Sequence, residues 1–333
     1  MKHKLIILIF TIVAVIFFFS CNKSPDIADI RAQIPAKNFD NYSFNSSIPI
    51  ADRIDNNDEM VLDYLKNMDG DESYTYYQLT EEEKQLLEEY LKLLPEYYLE
   101  ILEKKLLGIY FINDFLGSGL SDYSFTESGE LYYILVLNPM IFEKSLSELF
   151  TYKDNTCFDT TNSDLKLKID ISDDFSGLLY ILMHETSHIF DYEERITPYT
   201  EPHLKDLIPP KDISSHFTDK FWIDYYEMKD FMQVDYKEQI HFYNDDIEKK
   251  ISGNEMIHVY RELQKTPFAS LYSYFSWAED FAEYVTLYHF TQNLDLNYKI
   301  TIRENNKQIF EYEPFENDMI LSRASLLNFI IID

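Results

Sequence analysis

Apolar residues recur along this chain with two periods, and the points where the period changes mark the expected elements. From Thr80 the pattern is helical to about Leu107, with Thr80-Glu-Glu-Glu as a start signal and Pro95 as a break inside the run. Residues 109–115, 131–137 and 165–171 read as strands and predict a small sheet, with a helix over 142–152 between them. Ser172, Asp173 and Asp174 then offer N-cap chemistry and first-turn negative charge. Phe175, Leu178, Leu179, Leu182 and Ile189 follow at helical spacing as one apolar face, and nothing charged falls between Phe175 and Met183. This predicts a buried helix whose second face lines a cleft. Beyond it, 221–233, 235–243 and 255–264 read as helical. Residues 299–303 and 308–312 flank Glu-Asn-Asn-Lys as a hairpin, and a last helix runs to about Ile331. With only 7 glycines the chain has few tight turns, so the fold class is α+β and helix-rich.

The N-terminus is patterned differently. Lys2 and Lys4 precede an apolar stretch from Leu5 to Phe19, broken only by Thr11 and followed by Ser20-Cys21. That is a secretory signal over 1–20, too short for a comfortable membrane span. It resembles a bacterial lipoprotein signal, which implies lipidation of Cys21 and anchoring on the extracytoplasmic side of a bacterial membrane, although Phe18 and Phe19 depart from the usual residues. Ordinary secretion and a retained signal anchor are the alternatives. Residues 21–57, with Pro25, Pro35, Pro49 and several Asn and Ser, read as a tether. Residues 58–333 read as one folded body, large enough to divide into two lobes at about 58–191 and 192–333. In a lipidated product Cys157 has no cysteine left to pair with and is expected as a buried, inert thiol.

Net charge is −30, from 59 acidic and 29 basic residues. Nucleic acid is therefore not an expected partner, because phosphate binding needs clustered Lys and Arg. The acidity reads as solubility outside the cytoplasm.

The chemistry concentrates at His184-Glu185-Thr186-Ser187-His188. Positions i and i+4 of a helix share a face, so His184 and His188 can offer two imidazole nitrogens to one metal ion. Glu185 then stands where a general base for a metal-activated water belongs. The alternative is a pair of satisfied core histidines. The other histidines (His3, His203, His216, His241, His258, His289) lack ligand spacing; His203 and His216 are the reserve candidates.

A zinc hydrolase needs a third protein ligand. Glu194 stands where metzincins place their last histidine, but Asp191-Tyr192 lacks the glycine that such a turn requires. Ser276-Trp-Ala-Glu-Asp-Phe-Ala-Glu-Tyr284 places Glu279 and Glu283 one turn apart, a like-charge pair that a cation would relieve. Ser276-x-x-Glu279 is also a capping box.

HExxHxxD followed by Tyr…AExFAE resembles the gluzincin metallopeptidases, in the branch of anthrax lethal factor and the Pro-Pro endopeptidases. The resemblance covers 184–191 and 272–284 well and the rest in outline. It implies a two-lobed fold, with a small sheet before the HExxH helix and a helical C-terminal lobe. It implies one Zn2+ per chain on His184, His188 and Glu279, with Glu283 supporting the site from outside and Asp191 orienting a ligand histidine. Tyr272 is implied as the oxyanion donor, with Tyr274 two residues away as its rival. Such proteins bind an extended peptide along a sheet edge, for which 165–171 is the candidate by analogy. The 90 residues between His188 and Glu279 exceed the spacing in those relatives, so the 195–270 insertion has no assigned role. The expected function is that of a membrane-anchored zinc endopeptidase acting on a peptide or protein. The alternative is a surface lipoprotein that binds a partner, with zinc as a structural clamp.

Overall fold

The computed structural model describes residues 26–55, 57–205, 217–232, 234–243 and 250–327; the signal segment, Cys21, His3, His216 and the end of the expected last helix lie outside them. The described residues gather into two units, 26–143 with 178–205, and 144–177 with 217–327. These are not the successive lobes expected at 58–191 and 192–333. The chain leaves the first unit at Lys144 and re-enters it at Leu178, because the strand in 144–177 finds its partners near residue 300.

In the first unit, α1 (Ile27–Gln33) starts at Asp26, whose carboxylate accepts from the Ala28 amide. The Asp58 carboxylate caps α2 (Glu59–Asp69), which ends on Gly70 at φ 66°. Thr80 and Glu83 form a full capping box on α3 (Glu81–Leu91), and Pro95 separates it from α4 (Glu96–Lys105). Arg53, buried, donates to the carbonyls of Leu102, Glu103 and Leu106 at 2.8 Å each and so closes the C-terminal end of α4. Ile27, Ala36 and Ile50 are buried too. The expected tether is therefore packed structure from Asp26 onward: its Pro, Asn and Ser content masked three apolar anchors and one guanidinium.

Four strands, β1 (Thr75–Tyr76), β2 (Leu106–Asn113), β3 (Gly119–Phe125) and β4 (Leu131–Leu137), form a sheet of order β1-β2-β4-β3. β2 and β4 run parallel, while β3 is an antiparallel edge strand that the sequence pattern did not announce. Val61 and Leu65 of α2 pack with Tyr110, Ile112, Ile134 and Val136 in the core. Each such side chain contributes about 1.5–3 kcal/mol on burial.

The second unit begins with α5 (Leu146–Asn155), opened by a capping box of Ser145 and Glu148. Then come β5 (Phe158–Asp159) and β6 (Leu165–Asp170). β6 alternates as read, with Leu165, Leu167 and Ile169 buried and Lys166 and Lys168 exposed. The chain then returns to the first unit with α6 (Gly177–Glu194), which carries the HExxH segment and begins later than Ser172–Asp174 predicts. Ser172 instead forms a turn by accepting from the Asp174 amide.

Farther on, β7 (Ile251–Ser252) pairs in parallel with β5, and α7 (Met256–Leu263) and α8 (Trp277–Tyr288) precede the hairpin β8 (Lys299–Glu304) and β9 (Lys307–Tyr312). Asn305 and Asn306, at φ 48° and 65°, make its two-residue turn. The sheet order is β6-β8-β9, so the three strands read early in the chain belong to two sheets and not one. Alternation fixes which face of a strand is buried, not which strand it pairs with. The outer edge of β6 is also engaged. The Thr151 hydroxyl bonds with the amide and carbonyl of Ile169, and Ser147 Oγ accepts from the Ile171 amide. Within the described residues of 221–233 only Asp230–Met232 makes a helical turn, of the 3₁₀ type. Asp224 accepts from the amides of Tyr226 and Glu227, competing with helix, and Trp222 bridges back to Met228. Of 235–243, only Lys237–Gln239 makes a helical turn, of the 3₁₀ type.

Candidate metal centre

α6 is buried without interruption from Leu178 to Ser187, so both of its faces are covered and its polar groups must be satisfied locally. The Thr186 and Ser187 hydroxyls turn back to the carbonyls of Leu182 and Met183 at 2.6 and 2.7 Å, and Ser187 Oγ also accepts from Tyr98 at 2.9 Å. His184 and His188, one turn apart, hold their rings 4.9 Å from each other at 83°, with Tyr180 5.4 Å from His184. Glu185 is buried beside them against β3. A Cβ on Gly119 would stand 2.4 Å from Ile181 Cγ2 and 3.1 Å from Glu185 Cγ, so this close approach requires glycine.

Asp191, three residues past His188, accepts from the amide and hydroxyl of Thr197 at 2.7 and 2.6 Å. Burial pushes its carboxyl up to about 6, opposed by those hydrogen bonds and by the charge of His188. It thus ties down the chain leaving α6 while acting electrostatically on a candidate ligand. His203, a reserve candidate, stands with its Nε2 3.2 Å from the Tyr123 hydroxyl, and burial lowers its pKa.

In the second unit, Ser276 Oγ accepts from the Glu279 amide at 3.2 Å, capping α8. The cap uses the backbone amide of Glu279. Glu283, fully buried one turn later, accepts from Lys153 at 3.2 Å and from Ser270. Tyr272 is buried, with Phe275 stacked on it at 5.5 Å and the edge of Phe242 at 4.9 Å. The Tyr274 hydroxyl lies 3.3 Å from Thr266 Oγ1. Asp280 binds Arg323 and Trp222. Lys153, Asp280, Arg323 and Gly119 were missed in the sequence. Lys153 did leave a trace there, as a cation on the Leu146, Leu149, Phe150 face of α5, all of it buried.

His184, His188 and Glu279 each offer one ligand atom, and these atoms all lie within 4.8 Å of one another; His184 and Glu279 are buried and His188 is half-buried. A buried group of this kind could hold a metal ion. Two imidazole nitrogens and one carboxylate oxygen suit zinc. Comparison with protein-family models, with curated proteins and with solved structures finds no match for this chain.

Proposed function

We propose that this protein is a zinc-dependent endopeptidase of the gluzincin kind, anchored at the bacterial cell envelope through a lipidated Cys21. The observation that carries the reading is the three-donor group of His184, His188 and Glu279, with Glu185 adjacent in sequence to the first donor. Three protein donors suit a catalytic zinc, which keeps a further position for solvent or substrate, whereas a structural site is closed by a fourth.

Zinc bound there would acidify a water and polarise a peptide carbonyl. The remaining work falls to side chains of this chain. Glu185 takes the proton of the attacking water and returns it to the leaving amine. Its burial against Gly119 limits the positions its carboxylate can take. Tyr272 donates to the developing oxyanion; Tyr274, whose hydroxyl already meets Thr266, is the weaker candidate. β3 is the sheet edge beside Glu185, and we assign it, in place of 165–171, the role of receiving an extended peptide. No helix among the described residues is long and apolar enough to cross a membrane, so the proposed attachment rests on the N-terminal segment.

The test is hydrolysis of a fluorogenic peptide library by the purified protein. Turnover that a chelator abolishes and added Zn2+ restores supports the reading. A zinc-loaded protein that cleaves nothing in the library, while still binding an envelope partner, returns the clamp-and-binding alternative.

A further inference from the structure

Lys153 is 2% exposed, on a helix whose other buried residues are Leu146, Ser147, Leu149, Phe150 and Asp154. An ammonium is rarely taken so far from water without a carboxylate, and its partner is Glu283 at 3.2 Å, itself fully buried. Buried ion pairs of this type roughly break even for stability, because desolvation offsets the attraction, so stability alone is a weak reason for one here. What the pair does hold in place is a charge over an aromatic face. Lys153 Nζ lies 4.7 Å from the centroid of the Tyr272 ring. Phe275 and Phe242 hold the same ring from other directions, and Ser270 fixes the second oxygen of Glu283.

We propose that Lys153, held by Glu283, is a positioning residue for Tyr272: its ammonium fixes the phenol ring and strengthens the hydroxyl as a hydrogen-bond donor. This rests on the reading of Tyr272 as the oxyanion donor of a peptidase. A cation over the ring draws electron density from the phenol, so the hydroxyl donates more strongly to an oxygen that is gaining negative charge. Such help is worth most as that charge develops. Loss of Lys153 should therefore lower kcat and leave KM and metal binding alone.

Removing Lys153 alone strands a buried carboxylate and endangers folding, so the variant to use is Lys153→Met with Glu283→Gln. Kinetics on a cleaved fluorogenic peptide are compared for wild type, this pair, Tyr272→Phe and the triple variant, together with zinc affinity by chelator competition. The paired change should cost about thirtyfold in kcat, the size of a desolvated cation–π contact, with KM and zinc affinity within about twofold of wild type. In the Tyr272→Phe background the same change should cost less than about twofold, since the hydroxyl it serves is gone. Equal losses in both backgrounds, or loss of zinc with activity, would mean that the pair only supports packing and would overturn the proposal. A wild type without chelator-sensitive turnover, or a fully active Tyr272→Phe, sinks the underlying reading instead and takes this proposal with it.

Discussion

Asp280 and Arg323 meet through two hydrogen bonds of 2.8 and 2.7 Å, both side chains entirely buried, one residue past the candidate ligand Glu279. The guanidinium also donates to the Pro267 carbonyl and lies against the rings of Phe217, Phe221 and Tyr284. Trp222 Nε1 adds a third donor to Asp280. A residue near the end of the described chain thereby fixes the first turn of α8, the turn that carries Glu279.

Breaking that pair from one side should be costly. Arg323→Met leaves the Asp280 carboxylate buried without its counter-charge and should destabilise the protein by about 3–5 kcal/mol. Adding Asp280→Asn removes the stranded charge and should recover most of the loss. Urea denaturation of the three proteins decides it: a double variant no more stable than Arg323→Met would mean that ring packing, not charge, is what Arg323 supplies.

A pH effect follows from Asp154. Its carboxylate accepts from the Tyr260 hydroxyl at 2.7 Å, yet burial holds its pKa up at about 6, opposed by Lys153 and by that hydrogen bond. The unfolded value is about 3.9. A carboxyl whose folded pKa is raised binds more protons folded than unfolded across that window. Its contribution to stability is thus fully present below about pH 4 and is lost as pH rises through about 6. The loss amounts to about 3 kcal/mol. Asp154→Asn keeps an acceptor for Tyr260 and should remove this component. The change in unfolding free energy between pH 4.5 and 7 should differ between metal-free wild type and variant by about 2 kcal/mol. Parallel slopes would refute the assignment.

Gly119 gives a sharper test of the site than the HExxH segment itself. In Gly119→Ala the new methyl meets Ile181 Cγ2, a β-branched group that cannot swing away, and the stem of Glu185. Glu185 is the freer of the two to move. An ångström of displacement at a catalytic base costs about a hundredfold in kcat/KM, and the overpacking itself about 1–3 kcal/mol. Zinc content should not change. Wild-type kinetics in Gly119→Ala would mean that Glu185 is not working where it now sits.

What could be read in advance divides along a physical line. Thr80 with Glu83, Pro95, and Asn305-Asn306 act within a few residues, and each produced the predicted boundary. His184 and His188 were legible for the same reason, since one helical turn fixes their geometry. Partnerships across the chain were not. The alternation of 165–169 told which side chains turn inward but not that Ile169 pairs with Ile300. Lys153 and Glu283, 130 residues apart, carry no local sign of each other. Arg53 sat in a stretch whose Pro and Asn content resembled a linker, and only the carbonyls of α4 reveal its role. The spacing around Glu279 supported a cap and a ligand alike; the fold gives the cap to its amide and leaves the carboxylate near the histidines.

That division of labour within one residue can be tested directly. Gln at the same position keeps the backbone amide that Ser276 caps, and it is a capping-box residue in its own right, so Glu279→Gln should leave α8 intact. It removes the negative oxygen that a zinc ion needs as its third donor. Wild type should take up one zinc per chain, and excess metal should raise its stability, by about 2.7 kcal/mol at a hundredfold excess over Kd. His184→Ala, His188→Ala and Glu279→Gln should each lose most of that stabilisation. Glu185→Gln should retain it while turnover disappears, because the base is not a donor. Metal content by elemental analysis and melting with and without zinc report on these proteins independently of any substrate. Full stoichiometric zinc with an unchanged thermal shift in Glu279→Gln would leave the capping role as the only one Glu279 has, and the donor set would need a different third member.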